Sequence, residues 1–501
     1  MRYRSTRSGE LVSAEDALLY GLAKDGGLYV PERLPEPFIS WDAVKDLTYA
    51  ETAAFVLTPF FEEFGYRALL AMAKKAYEGT FDREDVVPTV PLSDSLSVAE
   101  LFHGRTCAFK DLALSLFPYL LTAAKDKAAK DKKILILTAT SGDTGKAALE
   151  GFRDVPGVHI MVLYPSHGVS ALQRDQMRKQ QGNNVAVFGI EGNFDDAQSA
   201  LKRVFSGPLR KEAKEKGILL SSANSINIGR LFPQVAYYVW IWKTLVKQGR
   251  LSPGEAFHVA VPTGNFGNIL AAWMAKQLGT PMGKLVCASN RNRVLADFFA
   301  TGVYDIHRDF YLTESPSMDI LISSNFERFL YFMTRSADVV RRHMESLSVG
   351  RRYEVSGEVL SLMRESIIGG WSSAEDMRRA MRDMYEQAGY LMDPHTAVAK
   401  AVYDKLDAAG ALDRLHTVIA ATAHPDKFPA ALCEALSLPL GDTPYDMLRA
   451  IEKRSGIKIP KQIAALETLP VRFDTTIQTE DIETTVEGYV QTLSSEVTNH
   501  D

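Results

Sequence analysis

Twice in this chain an apolar run empties into a glycine-rich polar turn that opens a helix, and this arrangement restricts the fold more than any other feature. Residues 134–137 (Ile-Leu-Ile-Leu) lead into Thr138-Ala139-Thr140-Ser141-Gly142-Asp143-Thr144-Gly145-Lys146, with a helical pattern over 147–152. Residues 257–262 lead into Thr263-Gly264-Asn265-Phe266-Gly267-Asn268, with a helical pattern over 269–277. A short, continuous apolar run between turn signals reads as a strand buried on both faces, the condition of a parallel sheet covered by helices. Strands expected at 133–138, 158–164 and 184–188, with helices between them, extend the alternation, and a second unit runs from 257 through 285–290 and returns at 417–421. The fold class is α/β, with two doubly wound open-sheet domains. A ligand is expected in the crevice between them, where strand C-terminal ends meet.

Both turns have the composition of anion sites. Backbone N–H groups at a helix N-terminus attract carboxylate or phosphate oxygens. One hydroxyl suffices to cap a helix, yet the first turn carries Thr140, Ser141 and Thr144. In the second, Gly264 and Gly267 are expected to permit positive φ and close approach of the backbone to an anion. It matches neither the dinucleotide G-x-G-x-x-G pattern nor a nucleotide-triphosphate loop.

A third segment supplies a reactive amine. In His103-Gly104-Arg105-Thr106-Cys107-Ala108-Phe109-Lys110-Asp111, Lys110 follows an aromatic and two small residues and precedes a helix expected over 112–124. Desolvation there lowers a lysine pKa and favours the free amine that attacks carbonyls. The plainer alternative is a lysine paired with Asp111 at a helix start.

The opening Met1-Arg2-Tyr3-Arg4-Ser5-Thr6-Arg7, the stretch from Gly21 through Asp25-Gly26-Gly27 to Pro31, and the three segments above form one set. Ser222-Ala223-Asn224-Ser225-Ile226-Asn227, Asp393-Pro394-His395-Thr396 and Thr422-Ala423-His424-Pro425 complete it. The set resembles threonine synthase, a pyridoxal-phosphate enzyme family of the tryptophan-synthase-β fold (fold type II), in its longer bacterial and fungal form. That resemblance implies a carbon–oxygen lyase acting on phosphates. It would convert O-phospho-L-homoserine and water to L-threonine and inorganic phosphate, the last step of threonine biosynthesis.

Carried over by residue, Lys110 would hold pyridoxal 5′-phosphate covalently and move protons. Gly264, Asn265, Phe266, Gly267 and Asn268 would cradle the cofactor phosphate, Asp143 would lie near the pyridine ring, and Thr422 would offer a hydroxyl to its nitrogen. Thr140, Ser141, Gly142 and Thr144 would receive the substrate α-carboxylate. The family often has Pro where Arg105 stands, and Arg105 is expected to point to solvent.

The chemistry demands a second phosphate site, and the polar segment holding Ser222, Asn224, Ser225, Asn227 and Arg230 is the best candidate. It lies between a strand at 218–220 and a helix expected over 229–246. Arg230 offers a planar fork suited to phosphate; the alternative is a helix capped by Asn227 with Arg230 on its surface. Lys146 is read as a solvated helix residue. His103 and His424 lack partners at metal-ligand spacing, so no metal is expected. His424 is read as shaping the pocket, and the region around His395 as structural.

A 501-residue chain buries substantial cores in two or three domains. The expected division is 1–91, a mostly helical N-terminal domain; 92–430, the cofactor-binding region with a helical insertion at about 318–392; and 431–501, a C-terminal extension. A net charge of −5 gives no reason to expect nucleic acid or an anionic membrane as partner. Three dispersed cysteines (Cys107, Cys287, Cys433) suit a reducing compartment, and Cys107 is read as core or site wall. Residues 1–9 are polar and basic, and no run approaches the ~18 apolar residues of a membrane helix, so a cytoplasmic monomer or homodimer is expected. Two other functions share much of the machinery: a pyridoxal-phosphate phospho-lyase on a related phosphorylated amino compound, and a serine/threonine dehydratase. A non-catalytic scaffold would be expected to lose Lys110 or the 264–267 turn.

Overall fold

The computed structural model describes residues 1–498. Two sheets carry the molecule. In the first, Lys133–Ala139 lies between Val158–Pro165 and Ile218–Ser221, and Val185–Glu191 follows on the outer side of Val158–Pro165. The second has the order Ile367–Trp371, Met282–Ser289, Phe257–Pro262, His416–Ala421, Leu96–Glu100, Thr89–Pro91, parallel except for the last pair. The central strands are apolar and buried along nearly their whole length, as a sheet covered on both faces requires.

Helices cover the sheets and meet between them. Pro233–Lys247 packs against Gly267–Gln277 and against Tyr49–Leu57 of the N-terminal region. Tyr237, Tyr238 and Trp242 on it are buried, each removing enough apolar area from water to stabilise the fold by about 1.5–3 kcal/mol.

Five parts of the fold differ from the sequence expectation. The helix expected over 112–124 is two helices, Lys110–Leu114 and Phe117–Ala128, and that expected over 229–246 is Ile228–Leu231 followed by Pro233–Lys247. Pro118 and Pro233 cause both breaks, since a ring without an N–H is tolerated only in a helix's first turn. The N-terminal region contains a three-stranded antiparallel sheet of Leu11–Val12, Tyr3–Ser5 and Tyr29–Pro31 beside its helices. The segment read as a helical insertion contributes the edge strand Ile367–Trp371. The C-terminal stretch adds Thr476–Gln478 to the first sheet, parallel to Val185–Glu191, and its last helix packs on Phe194–Ser206. Strands this short give no usable alternation, and pairing supplied by a distant partner is invisible to local pattern.

Candidate active site

The 264–268 turn leaves the end of Phe257–Pro262 and opens the helix Gly267–Gln277. Neither glycine has positive φ. Phe266 has it instead (φ 61°), contrary to the sequence expectation. A left-handed non-glycine residue costs of order 1–3 kcal/mol. Packing of the buried Phe266 ring against Phe299, Phe326 and Phe329 offsets that cost. Gly264 is required for close approach, because a Cβ there would lie 2.4 Å from the Ser317 carbonyl oxygen. Ser323 Oγ donates to Gly264 O (2.7 Å), and Asn325 N donates to Asn265 O (3.1 Å), fixing the turn from behind. Gly267 is different. Its nearest neighbours to an added Cβ are 3.5 Å away or more, so its missing side chain leaves open space beside the N–H groups of a helix's first turn. Asn268 Oδ1 accepts from the Tyr237 and Tyr238 hydroxyls, and its buried Nδ2 has no partner among the described residues.

Lys110 begins the helix Lys110–Leu114 and is 7% exposed. Asp111 does not pair with it: its carboxylate accepts from Thr106 N (2.8 Å) and Thr106 Oγ1 (2.7 Å). Lys110 Nζ instead lies 4.5 Å over the Phe109 ring and 3.3 Å from Asp143 Oδ2. Burial pushes its pKa down; Asp143 opposes the shift, and Lys427 and Arg230 add to it. The amine is therefore uncharged at lower pH than an ordinary lysine's.

Asp143 comes from the first turn, and its Oδ1 receives Lys427 Nζ at 2.6 Å and Gln173 Nε2 at 2.8 Å. Burial works against its charge, but Lys427 and Lys110 hold the carboxyl well below the usual carboxylate range. Thr140 Oγ1 accepts from Gly142 N (2.9 Å) and Gly145 N (2.8 Å), so this hydroxyl shapes the turn. Gly142 (φ 134°) lies behind the wall, where a Cβ would meet the Gln173 amide at 2.6 Å. Ser141 and Thr144 line the cavity, and neither hydroxyl has a hydrogen bond among the described residues.

Across the cavity stands Arg230, 2% exposed, not on a surface. Nη1 donates to Ala223 O (2.6 Å), Nε has no partner, and burial lowers the pKa to about 10, with Tyr237 opposing. No carboxylate bonds it among the described residues. A buried guanidinium without a counter-charge is costly unless an anion completes it. Asn224 and Ser225 line the same cavity. Asn227 does not: its Oδ1 caps the next helix by accepting from Gly229 N (2.9 Å), and its Nδ2 donates to Leu18 O and Ser222 O. Ser222 is outside the wall too, with Oγ accepting from Asn224 N. Behind this segment the buried Arg328 donates to Tyr29 O (2.8 Å), Ser225 O and Ile226 O, tying the loop to the N-terminal sheet.

The cavity, about 830 Å³ counted out to its mouth, brings Lys110, Asp143, Ser141, Thr144, Asn224, Ser225, Arg230, residues 264–268 and Thr422 into one wall. Sequence reasoning missed Lys427, Gln173 and Gln234. Lys427 lies just beyond the quoted Thr422–Pro425 motif, so its place after a buried strand was the available signal. His395 also lines the cavity; its Nδ1 lies 2.7 Å from Asp393 Oδ1 and its Nε2 accepts from Ser317 N (3.1 Å), which fixes the orientation of the ring. His424 turns away, capping Asp426 N and packing edge-on to Phe102. Lys146 is not a solvated helix residue, since its half-buried ammonium meets Gln180 Oε1 (2.5 Å) and Glu150. Arg105 is exposed. The residues at the wall suit a phosphorylated aromatic aldehyde: an amine depressed in pKa, an open cradle at Gly267, and unpartnered donors on Asn268 and Arg230. Among the described residues no group of His, Cys, Asp and Glu could hold a metal ion, and no helix is long and apolar enough to cross a membrane.

Residues 98–422 match the family described as pyridoxal-phosphate dependent enzyme, 2–77 the threonine synthase N terminus, and 396–487 the threonine synthase C-terminal family. The chain is 33% identical to the threonine synthase of Saccharomyces cerevisiae over 96% of each chain. It is 38% identical to human threonine synthase-like 1 over 84% of this chain, but spans only 58% of that relative's length. In three dimensions it is similar to the pyridoxal-phosphate-bound threonine synthase of Brucella melitensis, with a TM-score of 0.85, 36% identity and 99% of both chains covered.

Proposed function

The chain belongs to the threonine synthase family of pyridoxal-phosphate-dependent enzymes, and on that premise we propose that it converts O-phospho-L-homoserine and water to L-threonine and inorganic phosphate. The observation that supports this reading is one cavity lined by a buried lysine, an open glycine turn at a helix start and a buried guanidinium. One phosphate belongs to the cofactor and the other to the substrate; a dehydratase has no use for the second.

In this reading Lys110 Nζ holds pyridoxal phosphate. The 264–268 turn would hold the cofactor phosphate, and Thr422 would offer its hydroxyl to the ring nitrogen. Bound there, the cofactor supplies an electron sink for charge developing beside the amino-bearing carbon. Ser141 and Thr144 take the substrate α-carboxylate on a turn that Thr140 and Gly142 shape. Arg230, with Asn224 and Ser225, grips the γ-phosphate, and its charge stabilises that group as it leaves. Lys110 Nζ, as a free amine, would accept the α-proton and serve the later proton movements within reach. Ser222 and Asn227 support the grip from behind the wall. Residues 92–430 carry this chemistry, and the flanking 1–91 and 431–501 complete the sheets and brace the substrate loop. The three cysteines are free and buried, and they fit our placement of the enzyme in the cytoplasm, as a monomer or homodimer.

The test is product analysis with purified protein, pyridoxal phosphate and O-phospho-L-homoserine. Equal release of phosphate and threonine is expected. Phosphate accompanied by a keto acid or aldehyde, without threonine, would replace this reading with a phospho-lyase.

A further inference from the structure

Asp143 is shared unequally between two lysines. Lys427, 0% exposed, sits in the short turn Pro425–Lys427 that follows the strand His416–Ala421. Its Nζ reaches Asp143 Oδ1 at 2.6 Å, while Lys110 Nζ is 3.3 Å from Oδ2. Gln173 Nε2 occupies Oδ1 as well. We propose that Lys427 is a positioning residue for Lys110: by claiming Oδ1 of Asp143 it leaves Lys110 only a weak share of that carboxylate, so the Lys110 amine stays free to meet a carbonyl. This rests on Lys110 being the cofactor lysine.

The groups facing Lys110 from every packed element support the assignment. Among the described residues Asp143 on Asp143–Phe152 is the single carboxylate that bonds it, and Asp111 on its own helix is held by Thr106. Lys427 and Arg230 add positive charge from the second sheet and from Ile228–Leu231, and both oppose protonation of Lys110. His395, facing Asp143 from Pro394–Ala408, accepts from Ser317 N and adds its own pull on that carboxyl. Two lysines thus contend for one carboxylate in a buried space. Without Lys427, Asp143 would pair fully with Lys110 and hold it as an ammonium, a poor nucleophile. A merely structural role is the rival account, because Lys427 Nζ also donates to Thr106 O (3.0 Å) and so tethers the loop before Lys110.

Competitive acetylation of the cofactor-free full chain separates the two. Acetic anhydride acylates only the neutral amine: an N–C bond forms, acetate leaves, and the proton goes to water. Labelling of Lys110 relative to exposed Lys216, counted by peptide mass across a pH series, gives the midpoint at which Lys110 becomes reactive. In Lys427→Met this midpoint is expected to rise by at least about one pH unit, a tenfold loss of reactive amine below it. Lys427→Gln keeps a donor for the Thr106 tether but lacks the charge, and should shift the midpoint upward even where the Met variant folds poorly. An unmoved or lowered midpoint in the Gln variant overturns the proposal. Failure of the functional reading would show elsewhere, as an unaltered protein whose Lys110 takes up no pyridoxal phosphate.

Discussion

The 264–268 turn and the 222–230 segment face one cavity and are built in opposite ways. The first has no formal charge. It offers backbone N–H groups, a left-handed Phe266 wedged among aromatics, and an empty place where Gly267 lacks a side chain. The second centres on one desolvated guanidinium that, among the described residues, is held by a carbonyl and no carboxylate and has an unpartnered Nε. Fixed dipoles cost no charge burial when empty, whereas a buried cation is at its least stable alone and gains most when a dianion arrives. Under the proposed function, the backbone cradle suits the resident phosphate and Arg230 the travelling one.

Substitutions that touch one region and spare the other sharpen this division. Lys110→Ala, which both regions serve, should have the largest effect: turnover falls by roughly 1000-fold or more, and the absorbance of lysine-bound cofactor disappears. Gly267→Val fills open space and not protein, so cofactor affinity, followed by titration of that absorbance, should fall roughly 100-fold while the thermal midpoint of the cofactor-free protein holds. Gly264→Ala reverses the pattern. Its Cβ collides with the Ser317 carbonyl, and urea unfolding should show a loss of about 1–3 kcal/mol. Asn227→Ala removes a helix cap and is expected to cost about 1 kcal/mol of stability with little change in KM. A large KM change in that variant would restore Asn227 to the substrate site.

The α/β architecture was legible because buried parallel strands are long, apolar and bounded by turns. Both glycine turns were legible because they join strand ends to helix starts, and Lys110 because an aromatic and small residues precede it at a helix start. What sequence left open was which polar groups face inward. Thr140 and Ser141 adjoin each other, yet one hydroxyl closes the turn and the other faces the cavity. Arg230 and Asn227 are one helical turn apart, and only burial separates an anion fork from a cap. Lys427 was missed because its partner is Asp143, nearly three hundred positions earlier, and no local pattern records such a pair. The strands Ile367–Trp371 and Thr476–Gln478 escaped notice for the same reason, being defined by distant neighbours.

The central claim, one phosphate for each region, is tested most directly in Arg230→Gln by measuring pyridoxal phosphate affinity and KM for O-phospho-L-homoserine on the same preparation. Losing a buried Arg–phosphate contact costs about 2–4 kcal/mol, so KM should rise roughly 30- to 1000-fold. Cofactor affinity should stay within about a factor of two, since no contact made by the 264–268 turn is altered. A variant that loses its cofactor while KM stays normal would contradict the division and place the resident phosphate at Arg230.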